Sequence, residues 1–201
     1  MNTTEILTIL QRDIHSTIMA TIDEKGNPTT SAIDMMLLEN DHLYFLTARG
    51  KSIYSNIMNH PVIALTGMKG EDTLSTVAIS LQGKARNIGH QKLDKIFEVN
   101  PYMTKIYPNL ESRDALEVFE IESCHGEYFD LSKLPIERAS FSVNEQLHEI
   151  RYRITDRCIG CGKCAIICPQ HCIQHYQIDA SHCLHCGKCA EICPVKAIVK
   201  E

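Results

Sequence analysis

Eight of the ten cysteines in this 201-residue chain fall into two copies of one phrase. Cys158-Ile-Gly-Cys161-Gly-Lys-Cys164-Ala-Ile-Ile-Cys168-Pro169 is followed by Cys183-Leu-His-Cys186-Gly-Lys-Cys189-Ala-Glu-Ile-Cys193-Pro194. Both read C-x2-C-x2-C-x3-C-P, a ligand run for cubane iron–sulfur clusters. Thiolates at this spacing wrap one face of a cubane. Gly160, Gly162 and Gly187 let the backbone fold closely around inorganic sulfide, and each proline stops the chain after its last ligand. A tetrahedral zinc shell has no place for the third cysteine of each run. A disulfide framework needs a secreted chain, and Met1-Asn-Thr-Thr-Glu-Ile-Leu-Thr8 has neither the basic nor the apolar region of a signal peptide. No apolar run is long enough for a membrane span. The expected setting is therefore a reducing one, most simply the cytoplasm, with no membrane partner.

Cysteine and charge divide the chain in two. Residues 1–150 hold one cysteine, Cys124, and 13 Lys/Arg against 21 Asp/Glu, whereas residues 151–201 hold nine cysteines and 7 Lys/Arg against 4 Asp/Glu. The formal charges are −8 and +3, and neither half is basic enough to suggest nucleic acid. The second half repeats itself every 25 residues, Cys158 onto Cys183, with Arg151–Ile154 and Tyr176–Ile178 as the strands leading in. A unit of about 50 residues buries too little to hold a large core, so its metal clusters serve as the core. The doubled phrase resembles the bacterial two-cluster ferredoxins. That resemblance implies two 4Fe-4S clusters with a crossed fourth ligand: Cys158, Cys161, Cys164 and Cys193 on one, and Cys168, Cys183, Cys186 and Cys189 on the other. Cys172 has no slot in the pattern and reads as a free thiol in a short helix. Cys124 reads as a buried structural thiol. His171, His175, His182 and His185 read as surface residues before they read as a zinc site. His182 and His185 are also placed to donate hydrogen bonds to cluster sulfur.

The first half must supply whatever the clusters serve. Thr3-Thr4-Glu5 is the expected cap of a first helix with Ile6, Ile9 and Leu10 on one face. His15–Ile22 alternates with period two, Lys25–Pro28 turns, and Thr29–Leu38 returns. Leu43–Thr47 is a further strand, and Lys51–Asn59 is a helix between Gly50 and Pro61. Val62–Thr66 and Leu74–Arg86 are strands and Gly89–Val99 a helix. Ala115–Ser123 and Glu127–Leu131 form a last strand pair bent at Gly126. Six or so strands with two or three helices make an α+β protein built on an antiparallel barrel. Residues 132–150 read as a connecting arm. Pro135 stiffens it, and Leu134, Ile136, Phe141, Val143 and Leu147 are apolar enough to dock on the barrel.

Residues 1–131 resemble the FMN-binding split barrel of the pyridoxamine 5′-phosphate oxidase-like family. Four places carry the likeness: the hairpin Ile18–Ile33, the stretch Leu43–Ile57 with Asn59–Val62, the strand Ile79–Arg86, and the closing pair Leu116–Ile121 and Gly126–Leu131. The resemblance implies a split β-barrel that pairs as a homodimer with FMN in clefts at the interface. It places the flavin phosphate at Thr47, Arg49, Lys51 and Ser52. A Gly-containing turn entering a helix independently offers free N–H groups and a positive dipole there. The same residues could be a plain solvated turn. The resemblance places the flavin ring against Thr30, Ser31 and Ala32, with Gln82 as a further candidate. Thr30 and Ser31 equally suit an exposed strand, and Gln82 a structural role. Tyr102 and Tyr107 could line the flavin cleft or fill a core, and Met35, Met36 and Met103 read as core. Members that oxidise pyridoxamine phosphate carry Arg-Lys where this chain has Ser52-Ile53, and an arginine-rich C-terminal segment where it has clusters. Both departures argue against that reaction.

Joined, the halves read as an oxidoreductase that relays electrons between 4Fe-4S clusters and FMN to reduce a small organic acceptor. The implied donor is ferredoxin-like, since no Gly-rich nicotinamide fingerprint follows a strand. The alternative is a non-catalytic electron-transfer or redox-sensing protein. No catalytic acid or base stands out.

Overall fold

Strands begin where the alternation begins. The computed structural model describes residues 1–147 and 149–201; His148, in the connecting arm, lies outside the described residues. Helix α1 (Thr3–Thr8) is capped by Asn2, whose side chain accepts from the Glu5 N–H while Glu5 accepts from the Asn2 N–H. The expected Thr3-Thr4-Glu5 cap is thus displaced by one position, and Thr4 instead donates to Asp41 at 2.7 Å. After a wide turn at Ile9–Ile14 come β1 (Ser16–Ile22) and β2 (Pro28–Asp34). Their turn is tied by Asp23, which accepts the N–H groups of Lys25 and Asn27.

The expected single strand Thr29–Leu38 is two. Met35, Met36 and Leu37 are all buried, which a period-two strand with one open face cannot accommodate. The chain bends there, and β3 (Leu37–Glu39) pairs with β4 (His42–Ala48). Helix α2 (Ser52–Asn59) leads to β5 (Val62–Lys69) and β6 (Val77–Gly89). Three short helices follow: α3 (Leu93–Val99), α4 (Met103–Ile106) and α5 (Leu110–Arg113). The helix expected from Gly89 begins only at Leu93, because Gly89 still pairs with Val118 in the sheet.

The last expected strand pair is instead one strand, β7 (Leu116–Asp130), running without a break through Gly126. A Cβ on Gly126 would lie 2.3 Å from the Ser80 carbonyl oxygen, so this glycine permits close approach of two strands rather than a bend. Within the arm, β8 (Glu137–Val143) adds to β7. Ile136, Phe141 and Val143 are buried, while Leu134 and Leu147 stay exposed. The antiparallel order is β2-β1-β5-β6-β7-β4-β3, with β8 also on β7. It is a split barrel, not a fully closed one. Its interior centres on Phe45 stacked on Phe119 at 5.3 Å, with Met19, Met35, Ile63 and Ile79. A second core, with Met36, Met103 and Tyr107, seats α3 and α4.

In the C-terminal part, β9 (Tyr152–Ile154) pairs with β12 (Ile198–Lys200), and β10 (Ile173–Gln174) with β11 (Gln177–Ile178). Helices α6 (Lys163–Ile167) and α7 (Lys188–Ile192) each start after a left-handed glycine, Gly162 or Gly187, a conformation glycine adopts without strain. Several contacts among the described residues join the halves. The Ile136 N–H donates to Gln170 Oε1 at 3.1 Å, and the turn Ala180–His182 packs on β8.

Candidate functional site

The cysteines gather into two groups. Cys158, Cys161, Cys164 and Cys193 line a cavity of about 320 Å³. Cys168, Cys183, Cys186 and Cys189 line a second, nearly closed one of about 20 Å³, together with Cys172. Each of these two sets therefore takes three thiols from one repeat and one from the other. The donor sets fit cubane clusters. The first cavity has the room for one. Backbone N–H groups already point at sulfur: Ala197 donates to Cys193 at 3.2 Å and His185 to Cys183 at 3.4 Å. The first of these bonds holds the Cys193 thiol below its ordinary pKa. Burial pushes the Cys168 thiol up, but the N–H groups of Cys172, Gln170 and His171 outweigh it and favour the thiolate. Among the described residues no three Cys, His, Asp or Glu side chains converge on a single-ion position. A cubane needs no such convergence, since each thiolate binds its own iron.

Cys172 lies just before β10 and not in a helix, with its sulfur 3.5 Å from that of Cys168. Burial, and then the neighbouring Cys168, raise its pKa. His182 bonds Asp179 at 2.8 Å, and His171 and His175 line an open surface hollow with it.

The outer face of the barrel carries a different site. Register aligns Thr30, Ala20, Ala64, Gln82 and His125 in one row across β2, β1, β5, β6 and β7. The adjacent row is Ala32, Ile18, Thr66, Ser80, Glu127 and Ser140. All of these but Ala32 line a cleft of about 810 Å³, whose far wall is Arg138, Leu147, Ile150, His185 and Lys200. Gln82 bonds His125 at 2.7 Å, His125 bonds Glu145 at 2.9 Å, and Arg138 pairs with Glu127. Two buried nitrogens there have no partner among the described residues, Arg138 Nε and His185 Nε2. An unmet buried polar atom is costly. Burial, with the nearby Arg138 charge, lowers the His185 pKa and keeps its ring neutral.

The expected phosphate residues sit elsewhere, at the end of β4. Lys51 and Ser52 are exposed at the start of α2, whose first turn no side chain caps. Thr47 is buried with its hydroxyl unpartnered among the described residues. This corner fits an anion. Arg49, however, is held by Asp114 at 2.9 Å and Glu117 at 3.3 Å. Glu117 also accepts from Asn87 and from Tyr54, and these bonds, Asn87 first, outweigh desolvation to keep its carboxyl below the usual range. Ser31 is half-buried and by alternation faces away from Thr30 and Ala32. Tyr102 bonds His15 at 3.0 Å and does not line the cleft. His125, Arg138, Glu145 and Lys200 were not legible as site residues. The register of β7 and β8 brings His125 and Arg138 to the cleft, Glu145 reaches it through His125, and packing of the C-terminal part brings Lys200; no local spacing encodes any of this.

Comparison with known proteins follows this division. The model of the pyridoxamine 5′-phosphate oxidase family matches residues 3–128. The 4Fe-4S binding domain matches twice, at 152–174 and 176–199. Among solved structures, a NimC/NimA family protein from Clostridium acetobutylicum superposes with a TM-score of 0.58 at 17% identity, over 71% of this chain and 92% of that one. A heme binding protein from Mycobacterium smegmatis does so with a TM-score of 0.52 at 13% identity, over 70% and 58%. At such identities the likeness is one of fold. No match was found among curated proteins. With the family match spanning more than half of its length, and a doubled 4Fe-4S domain after it, this chain belongs to the pyridoxamine 5′-phosphate oxidase family.

Proposed function

We propose that the protein is an FMN- and iron–sulfur-dependent oxidoreductase that relays electrons between two 4Fe-4S clusters and FMN to reduce a small organic acceptor. One observation carries the reading: the 810 Å³ cleft is walled on one side by the barrel, with Thr30 and Gln82, and on the other by the ferredoxin part, with His185 and Lys200. Two unconnected modules would not share a cleft.

Lys51, Ser52 and Thr47 hold the phosphate, and Arg49 takes part by exchanging its carboxylate partners. Thr30 and Gln82 border the ring, with Ala32 beside them on the same face of the sheet, while Ser31 faces away from it. Cys158, Cys161, Cys164 and Cys193 hold one cluster, and Cys168, Cys183, Cys186 and Cys189 the other. Bound flavin exchanges electrons singly on one side and in pairs on the other. The chain's own part is to position and enclose. Arg138 and Lys200 favour an electron-rich occupant, Gln82 and His125 orient it, and Ile18, Ala20 and Ala64 exclude water from the floor. The open apolar face with Ile18, Val62 and Met68 suits a second copy of the chain, making a homodimer. The electron donor is ferredoxin-like.

The test is anaerobic purification, followed by titration of flavin-free protein with FMN and with riboflavin. Lys51→Ala weakens FMN by about tenfold, the scale of one lost charge-assisted contact, and leaves riboflavin unchanged. Equal loss for both ligands, or no flavin bound by the wild type, overturns the assignment. Reduction of small acceptors above the rate of free FMN distinguishes an enzyme from a carrier.

A further inference from the structure

The two cysteine groups are not equivalent in their connection to the cleft. His185, which lines it, sits between Cys183 and Cys186. Its ring stands edge-on to Tyr152 at 6.1 Å, and Tyr152 lines the cavity of the Cys183 group. Two contacts that dock the ferredoxin part on the barrel belong to the same group. Gln170, which receives the Ile136 N–H, follows Cys168 by two residues. The turn Ala180–His182, which packs on β8, runs directly into Cys183. Neither cavity shares a residue with the cleft or with the barrel, but His185 of the cleft is flanked by two ligands of the Cys183 group and by none of the Cys158 group. Ile159, Ile166 and Tyr176 around that group are exposed.

We infer that electrons cross between the ferredoxin part and the cleft through the centre held by Cys168, Cys183, Cys186 and Cys189, with His185 as the positioning residue at the crossing. The centre held by Cys158, Cys161, Cys164 and Cys193 is the distal one, where electrons enter. This rests on the reading that the cleft receives the flavin. Each crossing oxidises the proximal centre by one electron and reduces the flavin by one, and no bond between heavy atoms forms or breaks. Two crossings, with two protons from water, reduce the flavin fully. A low-potential one-electron carrier docking at the exposed side refills the distal centre.

The full chain, loaded anaerobically with iron, sulfide and FMN, tests the order. An iron–sulfur centre quenches flavin emission more strongly the nearer it lies. Replacing Cys183 and Cys186 by Ser raises the emission of bound FMN several-fold. Replacing Cys158 and Cys161 by Ser leaves it close to wild type. The reverse order, or an equal rise in both, overturns the inference. Because a lost cluster can unfold the domain, His185→Ala provides a second arm that keeps all eight ligands. It shifts the midpoint potential of one centre and not the other, and slows flavin bleaching by a low-potential donor about tenfold, the scale of lost support around a metal site. Unchanged potentials and an unchanged rate also overturn it. Wild-type protein that binds no FMN refutes the functional reading itself, whereas bound FMN with the reversed order refutes the polarity alone.

Discussion

The two cysteines outside the ligand pattern differ from the other eight by their surroundings. Cys124 lies on β7 against Gly83, and burial pushes its thiol from 9.0 up to about 12. Because the folded-state pKa is raised, folding favours the protonated thiol. The stability this lends is fully present below the ordinary thiol pKa and is lost as pH rises from 9.0 towards about 12. Cys124→Ala should therefore flatten the alkaline limb of a plot of unfolding free energy against pH. A variant with the same alkaline slope as wild type would show that other groups set that limb. The sequence showed Cys124 to be buried in character, but its shift comes from burial in the barrel core, with the Glu145 charge adding to it.

At the scale of elements, the close pairing of β6 with β7 depends on two glycines facing the neighbouring strand. A Cβ on Gly83 would lie 2.1 Å from the Ser123 carbonyl oxygen and 2.7 Å from Cys124 Cβ. Gly83→Ala should cost about 1–3 kcal/mol by overpacking, read as a lower denaturant midpoint at an unchanged slope. Gly50→Ala, with nothing within 4 Å of its Cβ, should stay within about 0.5 kcal/mol of wild type. Gly83 and Gly126 look alike in the sequence to any turn-forming glycine. Reading Gly126 as a bend split β7 in two, and only the partner strand shows that the missing side chain serves close approach.

At the scale of the whole molecule, the halves are stabilised by different means. The barrel buries two apolar cores, whereas the C-terminal part buries mainly cysteines with a few aliphatic residues. Stripping the metal under oxidising chelation should therefore unfold residues 151–201 while the barrel persists. Limited proteolysis of the stripped protein should cut within the cysteine repeats and leave a core ending beyond Val143, since β8 is paired to β7. Equal resistance of both halves would mean that the small domain holds its shape without clusters.

What the sequence determined by itself is whatever local spacing encodes. The thiol pattern named the cluster chemistry and the repeat. The alternation from His15 to Ile22 and the helix between Gly50 and Pro61 placed two elements close to where they lie. The overall split-barrel order was legible through resemblance. Tertiary structure alone decided which rows of which strands face one another, and so brought Thr30, Gln82 and His125 into one cleft although 95 residues separate the first from the last. It alone decided that the arm becomes a strand and that the Cys183 loop, not the Cys158 loop, faces the barrel. The two repeats carry the same ligand phrase, so their spacing cannot tell them apart. Their roles diverge because packing on β8 is a long-range contact, set by surface fit between segments that no local periodicity relates.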